Sequence, residues 1–179
     1  VLIFDECSSG FRQAYGGLHK IFGVEPDIAM FGKTLGNGYA ITSVIGRREV
    51  MEAAQSTFIS STFWTERIGP SAALKTLEVM ERERSWEKVT QTGETIREGW
   101  SALAEKYRLE IEHFGLPALA GFSFKSPKRL EYKTLLTQEM LKKGYLATTA
   151  VYVCTQHSKK VVDQYIENLD PIWAKIKEC

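Results

Sequence analysis

The sequence lacks most of the features that settle a protein's class at once. It has three cysteines, Cys7, Cys154 and Cys179, and no two share a disulfide-like or ligand-like spacing. The three histidines, His19, His113 and His157, are equally scattered, which argues against a zinc site. An odd cysteine count without a framework fits a reducing compartment, and the expected location is the cytoplasm. No apolar run approaches the roughly 20 residues of a membrane span. Neither sign of charge dominates: 23 Lys and Arg stand against 22 Asp and Glu, a net charge of +1. Nucleic acid and membrane are therefore not expected partners. There is no repeat, no low-complexity segment, no initiator Met and no signal peptide. The first residue already sits inside a buried-strand pattern, so the chain is expected to be the carboxyl-terminal part of a longer protein.

What is present suffices for a core. The 179 residues are 44% hydrophobic and 25% charged. The informative stretch runs from Val1 to Gly38. Val1 to Phe4 is an apolar run leading into Asp5 and Glu6, and Ile28 to Phe31 is a second leading into Gly32 and Lys33. Short apolar runs of this kind predict strands buried on both faces of a parallel sheet. Ligands of open α/β sheets bind beyond the carboxyl ends of such strands, so Asp5 and Lys33 are candidates to face one pocket.

Further along, Tyr15 to Ile21 predicts a short helix or loop, Ile41 to Ile45 a third strand, and Arg47 to Gln55 a short helix. A helix is expected from Glu66 to about Arg84, with Thr65 as its N-cap. Another follows from Trp86 to about Tyr107, capped by Ser85. Leu109 to Phe114 and Leu119 to Phe124 alternate as a hairpin-like pair. A helix over about 129–143 ends at Gly144. A strand follows within 145–154, and then a helix over 159–178 that Pro171 should break or restart. The expected organisation is a partial large cofactor-binding domain over 1–84, a linking helix over 85–107 and a small α+β domain over 108–179.

Three meanings of the opening stretch compete. Asp5 and Lys33 could be a helix cap and a solvated lysine. Four apolar residues before Asp-Glu also resemble a Walker B strand, with Gly32-Lys33-Thr34 mimicking the end of a P-loop. That motif needs glycine at position 27, where Asp stands, and should precede the Walker B strand. Third, a strand-end lysine can form a Schiff base with a pyridoxal aldehyde, while a carboxylate keeps the pyridine nitrogen protonated.

Five pieces in order favour the third. They are Leu2 to Glu6, Gly10-Phe11-Arg12, Gly23 to Asp27, Gly32-Lys33 with Gly36 and Gly38, and Gly46 to Met51. Together they resemble the class III pyridoxal-phosphate-dependent aminotransferases, most of all the glutamate-1-semialdehyde aminomutase branch. The resemblance implies an α/β protein of the fold type I transferases: a partial large domain with a mostly parallel sheet, plus a small α+β domain. It implies pyridoxal 5'-phosphate as cofactor, Lys33 as the Schiff-base lysine and Asp5 as partner of the ring nitrogen. Cys7 would pack on the ring, and Ser8 falls where a side chain often lies near the phenolic oxygen. Ser61-Thr62-Phe63 is similar to a loop whose Thr binds the cofactor phosphate of the other subunit, so a homodimer follows. The implied activity is amino-group transfer on a small amino or oxo substrate. The alternatives are an intramolecular 2,1-aminomutase and a non-catalytic relative or fragment. Departures stand at Ala40 and Trp64 to Pro70, which puts substrate range in question.

Overall fold

The computed structural model describes all residues, Val1–Cys179, and they form two compact units, Val1–Glu87 and Lys88–Cys179. The boundary falls inside the segment read as a linking helix. No helix is long and apolar enough to cross a membrane, and all three cysteines are free thiols.

The first unit is built on a three-stranded sheet: β1 (Ile3–Asp5), β2 (Ile28–Phe31) and β3 (Ser43–Gly46), in that spatial order. β1 and β2 run parallel, with Ile3 opposite Ile28 and Asp5 opposite Met30. A parallel return needs a crossover, and residues 6–27 supply it through a turn and a 3-10 helix, Leu18–Phe22. The link from β2 to β3 is too short for another crossover, so β3 returns antiparallel. It also starts two residues later than the expected Ile41.

The reading of both sheet faces as buried is corrected. Ile3, Val44 and Ile45 keep 52%, 52% and 55% of their surface exposed. Only β2, the central strand, alternates half-buried and buried residues. Its Ala29 and Phe31 join Phe11, Leu35, Ala73 and Met80 in a small core.

After a one-turn helix α1 (Arg48–Met51) and a 3-10 turn comes α2 (Ile68–Glu83). Its cap is not Thr65. The Glu66 carboxylate accepts from the backbone N–H groups of Ile68 and, at 2.9 Å, Gly69. A carboxylate there satisfies two orphan donors and faces the positive end of the helix.

Helix α3 (Ser85–Tyr107) carries the expected apolar stripe. Ser85 is its first residue, but the hydroxyl is buried without a partner and is not the cap that its position suggested. In the second unit Val89, Ile96, Trp100 and Leu103 of this helix enter a single core. Three antiparallel strands, β4 (Ile111–Phe114), β5 (Leu119–Phe124) and β6 (Ala150–Tyr152), supply its sheet, with β5 central. α4 (Arg129–Lys142) and α5 (Lys159–Glu178) complete the core through Leu136, Met140, Leu169 and Trp173. Gly144 follows α4 with φ 84°, a left-handed conformation that suits glycine. The expected break at Pro171 does not occur. α5 continues through it, because Ile172, Trp173 and Ile176 stay anchored in the core while Pro171 faces outward.

Candidate active site

The parallel pairing of β1 and β2 brings the two strand ends to one edge. Asp5 ends β1. Lys33 follows β2 after Gly32 and opens a one-turn 3-10 helix, Lys33–Leu35. Both side chains are exposed at that edge.

Asp5 is fixed by its own turn. Its Oδ1 accepts the Cys7 backbone N–H at 3.0 Å. That bond is the largest cause holding the Asp5 carboxyl below its ordinary value; a bond from the Cys7 thiol and the positive charge of Lys33 add to it. The group is therefore ionised throughout the neutral range. Its pKa is lowered on folding, so the sign is that of a stabilising carboxylate. The contribution is present above the ordinary carboxylate range and is lost as pH falls through the lower folded value. The same carboxylate raises the pKa of the Cys7 thiol. Cys7 is half-buried beside Gly32, and its raised pKa keeps it from being an activated thiolate at neutral pH.

Lys33 has a φ of 43°, in the left-handed region where a residue with a Cβ is strained. Such strain clusters at functional sites, and here it sits on the one lysine at the strand edge. The ammonium donates to Ser8 Oγ. The pair thus becomes a small constellation: the Asp5 carboxylate, the Cys7 N–H that fixes it, and the Ser8 hydroxyl that holds Lys33. An exposed amine on a hydroxyl leash beside an ionised carboxylate fits a group that carries both an aldehyde and a basic ring nitrogen.

Thr62 is not part of this constellation. It lies exposed in the loop before α2, and no hydrogen bond joins it to Asp5, Cys7, Ser8 or Lys33. The neighbouring Ser61 Oγ accepts from the Phe63 backbone N–H at 3.1 Å, which orders this turn.

Glu6 carries no role of its own in the sequence motif. It is the most deeply buried charged residue, 3% exposed, and directly follows Asp5. It accepts from Ser9 Oγ at 2.5 Å and from the His19 backbone N–H at 3.1 Å, and its Oε1 lies 3.1 Å from His19 Nδ1. A carboxylate one residue past a strand end, with serines and a histidine within the next turns, was the available signal.

A parallel strand pair followed by a small unit with an antiparallel sheet matches part of the fold of pyridoxal-phosphate-dependent transaminases. The FumI protein of Sphingopyxis sp. MTA144, solved in its PLP internal aldimine form, superposes with a TM-score of 0.90 at 23% identity. That match covers 97% of this chain and 42% of the FumI chain. An omega-transaminase from Sphaerobacter thermophilus superposes with a TM-score of 0.84 at 20% identity, over 97% of this chain and 44% of that one.

The chain belongs to the class-III aminotransferase family, which residues 1–167 match. It is 33% identical to the 3-aminobutyryl-CoA aminotransferase of Cloacimonas acidaminovorans (strain Evry), over 99% of this chain and 44% of that protein. It is 27% identical to the glutamate-1-semialdehyde 2,1-aminomutase of Methanocaldococcus jannaschii, over 97% of this chain and 44% of that protein. The chain thus spans about 44% of the length of these relatives.

Proposed function

We propose that this chain carries the lysine-bearing portion of an enzyme that uses pyridoxal 5'-phosphate to transfer an amino group on a small amino or oxo substrate. The observation that carries the reading is the parallel β1–β2 pair, which presents Asp5 and Lys33 at one edge with Lys33 held on Ser8. Membership of the class-III aminotransferase family supports it.

When bound, the cofactor supplies an aldehyde for amines and an electron-withdrawing ring. Asp5, ionised at neutral pH, would accept a hydrogen bond from a protonated ring nitrogen and so favour the charged ring. Ser8 Oγ orients Lys33 Nζ toward the same edge. Lys33 Nζ would be the group placed to hold and move the proton of the substrate carbon that bears the nitrogen, the electron pair left on that carbon being the one the ring would draw off. Cys7 offers a small, half-buried apolar surface beside Asp5. The test is chemical. The chain mixed with pyridoxal 5'-phosphate and reduced with borohydride should carry one adduct on Lys33 by peptide mass spectrometry. An adduct spread evenly over many lysines would sink the assignment.

Asp5→Asn is expected to lower amino transfer by roughly 10- to 100-fold, because a charge-assisted hydrogen bond becomes a neutral one. The Lys33 adduct should still form. Single-turnover kinetics of the cofactor-loaded protein with an amino donor would measure the loss, and an unchanged rate would remove Asp5 from the site.

Thr62, exposed in its loop, offers a hydroxyl and a backbone N–H to a phosphate dianion, here the phosphate of the partner subunit of a homodimer. Thr62→Ala should then weaken retention of pyridoxal 5'-phosphate in equilibrium dialysis by about tenfold and leave binding of phosphate-free pyridoxal unchanged. Equal weakening of both, or a monomer by sedimentation, would refute that role.

An intramolecular aminomutase is the second reading, favoured by relatives named glutamate-1-semialdehyde 2,1-aminomutase at 25–34% identity. An enzyme of that kind keeps both amino groups on one substrate. Steady turnover with separate amino donors and oxo acceptors would exclude it.

A further inference from the structure

We infer that Glu6 is a positioning residue: its buried carboxylate locks the turn after β1 and thereby sets the groups that hold Asp5 and Lys33. The inference rests on the proposed roles of those two residues, but its observations are independent of them.

Glu6 is tied at both its backbone and its side chain. Its N–H donates to Met30 O at 2.8 Å, joining the turn to β2, and its carbonyl accepts from Gly10 N at 2.8 Å, closing the turn. The carboxylate then gathers donors from two separate segments. Ser9 Oγ–H comes from the turn itself, and the His19 backbone N–H and ring come from the 3-10 helix of the crossover. Phe4, on the strand side, places its ring 5.8 Å from that of His19 and closes the site on the apolar side.

Two glycines clear the space that this arrangement needs. A Cβ on Gly10 would meet Glu6 O at 2.7 Å and Phe31 Cδ1 at 2.7 Å. A Cβ on Gly17 would meet His19 Cε1 at 2.2 Å and lie 3.0 Å from Glu6 Oε1. The chain therefore approaches the Glu6 carbonyl at Gly10, and the His19 ring and the Glu6 carboxylate at Gly17, more closely than side chains permit.

The consequence lies in the two residues between Glu6 and Ser9. Cys7 contributes the N–H that fixes Asp5, and Ser8 contributes the hydroxyl that holds Lys33. Both are exposed or half-buried; their segment is anchored on either side at Glu6 and Ser9, and Arg12 Nε adds one bond to Ser8 O at 3.3 Å. A carboxylate suits the position because every group facing it can donate. The amide of glutamine keeps one acceptor oxygen for His19 but offers Ser9 Oγ an uncharged N–H in place of a carboxylate oxygen, so the charge-assisted bonds are lost, and aspartate is one methylene too short to reach from the same backbone position. Net loss of even one such bond to a charged group corresponds to about a tenfold change in the population of the ordered turn.

The experiment uses a Cys154→Ser, Cys179→Ser background so that Cys7 is the only thiol. In that background Glu6→Gln should speed alkylation of Cys7 by iodoacetamide at pH 8 by roughly fivefold, as the thiol escapes Asp5 and the ordered turn. It should also change by more than about threefold the rate of pyridoxal 5'-phosphate adduct formation at Lys33 relative to the other lysines of the same molecule. Far-UV circular dichroism should be unchanged. Both rates are taken without denaturant, where the unfolded fraction of a variant that stays folded is too small to carry a roughly fivefold change at Cys7. If Glu6→Gln fails to fold, Ser9→Ala and His19→Ala each remove one donor and carry the same test with smaller changes. A folded variant whose Cys7 rate and Lys33 ratio both stay within twofold of the parent overturns the inference. If no selective Lys33 adduct forms even in the parent, the cofactor reading falls, and the Cys7 rate alone decides the role of Glu6.

Discussion

Replacing Lys33 with alanine is expected to remove the selective pyridoxal 5'-phosphate adduct and to lower amino transfer by roughly 10²- to 10⁴-fold, the range of a lost proton-transfer group. Three substitutions at this position separate three properties of the lysine. Alanine removes amine and charge but keeps a Cβ at φ 43°. Arginine keeps the charge that helps hold the Asp5 carboxyl low, yet its guanidinium stays protonated and cannot act as a nucleophile or base. Glycine removes the amine and relieves the backbone, so it should abolish the adduct while raising stability by about 1 kcal/mol. Activity should therefore fall by a similar factor in all three, whereas stability should rise only in the glycine variant. Chemical denaturation and the borohydride assay measure the two outcomes on the same preparations. Selective labelling of a different lysine in the alanine variant, with activity retained, would transfer the role elsewhere. A glycine variant less stable than the parent would show that the left-handed φ is not a strain the native contacts hold in place.

The placement of Asp5 and Lys33 at neighbouring strand ends was legible in the sequence because its signal is local. A short apolar run that stops at a polar residue reports a strand and its end, and a connection of 22 residues, 6–27, is long enough for the strands to run parallel. The same locality explains what was missed. The apolar runs of β1 and β3 describe what those strands are suited to pack against, and within these residues only β2 receives cover on a face. Thr65 and Ser85 carry the right chemistry for helix caps, but Glu66 reaches the free N–H groups of α2 and Ser85 is itself the first helical residue. Pro171 is a breaker by propensity, yet the helix runs on, since Ile172 and Trp173 are fully buried just beyond it. The role of Glu6 was not legible for a related reason. Its partners Ser9 and His19 are close in sequence but meet it only because the crossover folds back, and no periodicity marks that return. In each case a propensity of the chain was overridden by a contact made in the fold.

In the second unit the largest stability effect is expected at Trp100. Trp100→Ala should destabilise Lys88–Cys179 by about 3–5 kcal/mol, a large share of the roughly 5–15 kcal/mol typical of a whole protein. Trp100 is fully buried on α3, and its ring lies 4.8 Å from Phe122 of β5 and stacks 6.1 Å from His113 of β4. It thus connects the helix to two strands whose own pairing is short. Its Nε1 also donates to Tyr165 Oη of α5 at 3.0 Å, a buried bond that spans 65 residues of sequence. Burial holds the Tyr165 hydroxyl well above the ordinary tyrosine range, so it stays protonated and available as acceptor at any pH used for the measurement. Packing and hydrogen bond can be weighed against each other. Trp100→Phe keeps most of the ring contacts and loses the donor, and should cost about 1–2 kcal/mol. Tyr165→Phe removes the acceptor and should cost a similar amount, while the double variant should cost less than the sum, because each single change already breaks the same bond. Urea titration followed by tryptophan fluorescence and circular dichroism would give all four corners of this cycle. Additive losses would mean that Trp100 and Tyr165 stabilise the unit by shape alone. A Trp100→Ala loss below about 1.5 kcal/mol would mean that the core collapses onto the vacated space more freely than close packing around Phe122 and Trp173 permits.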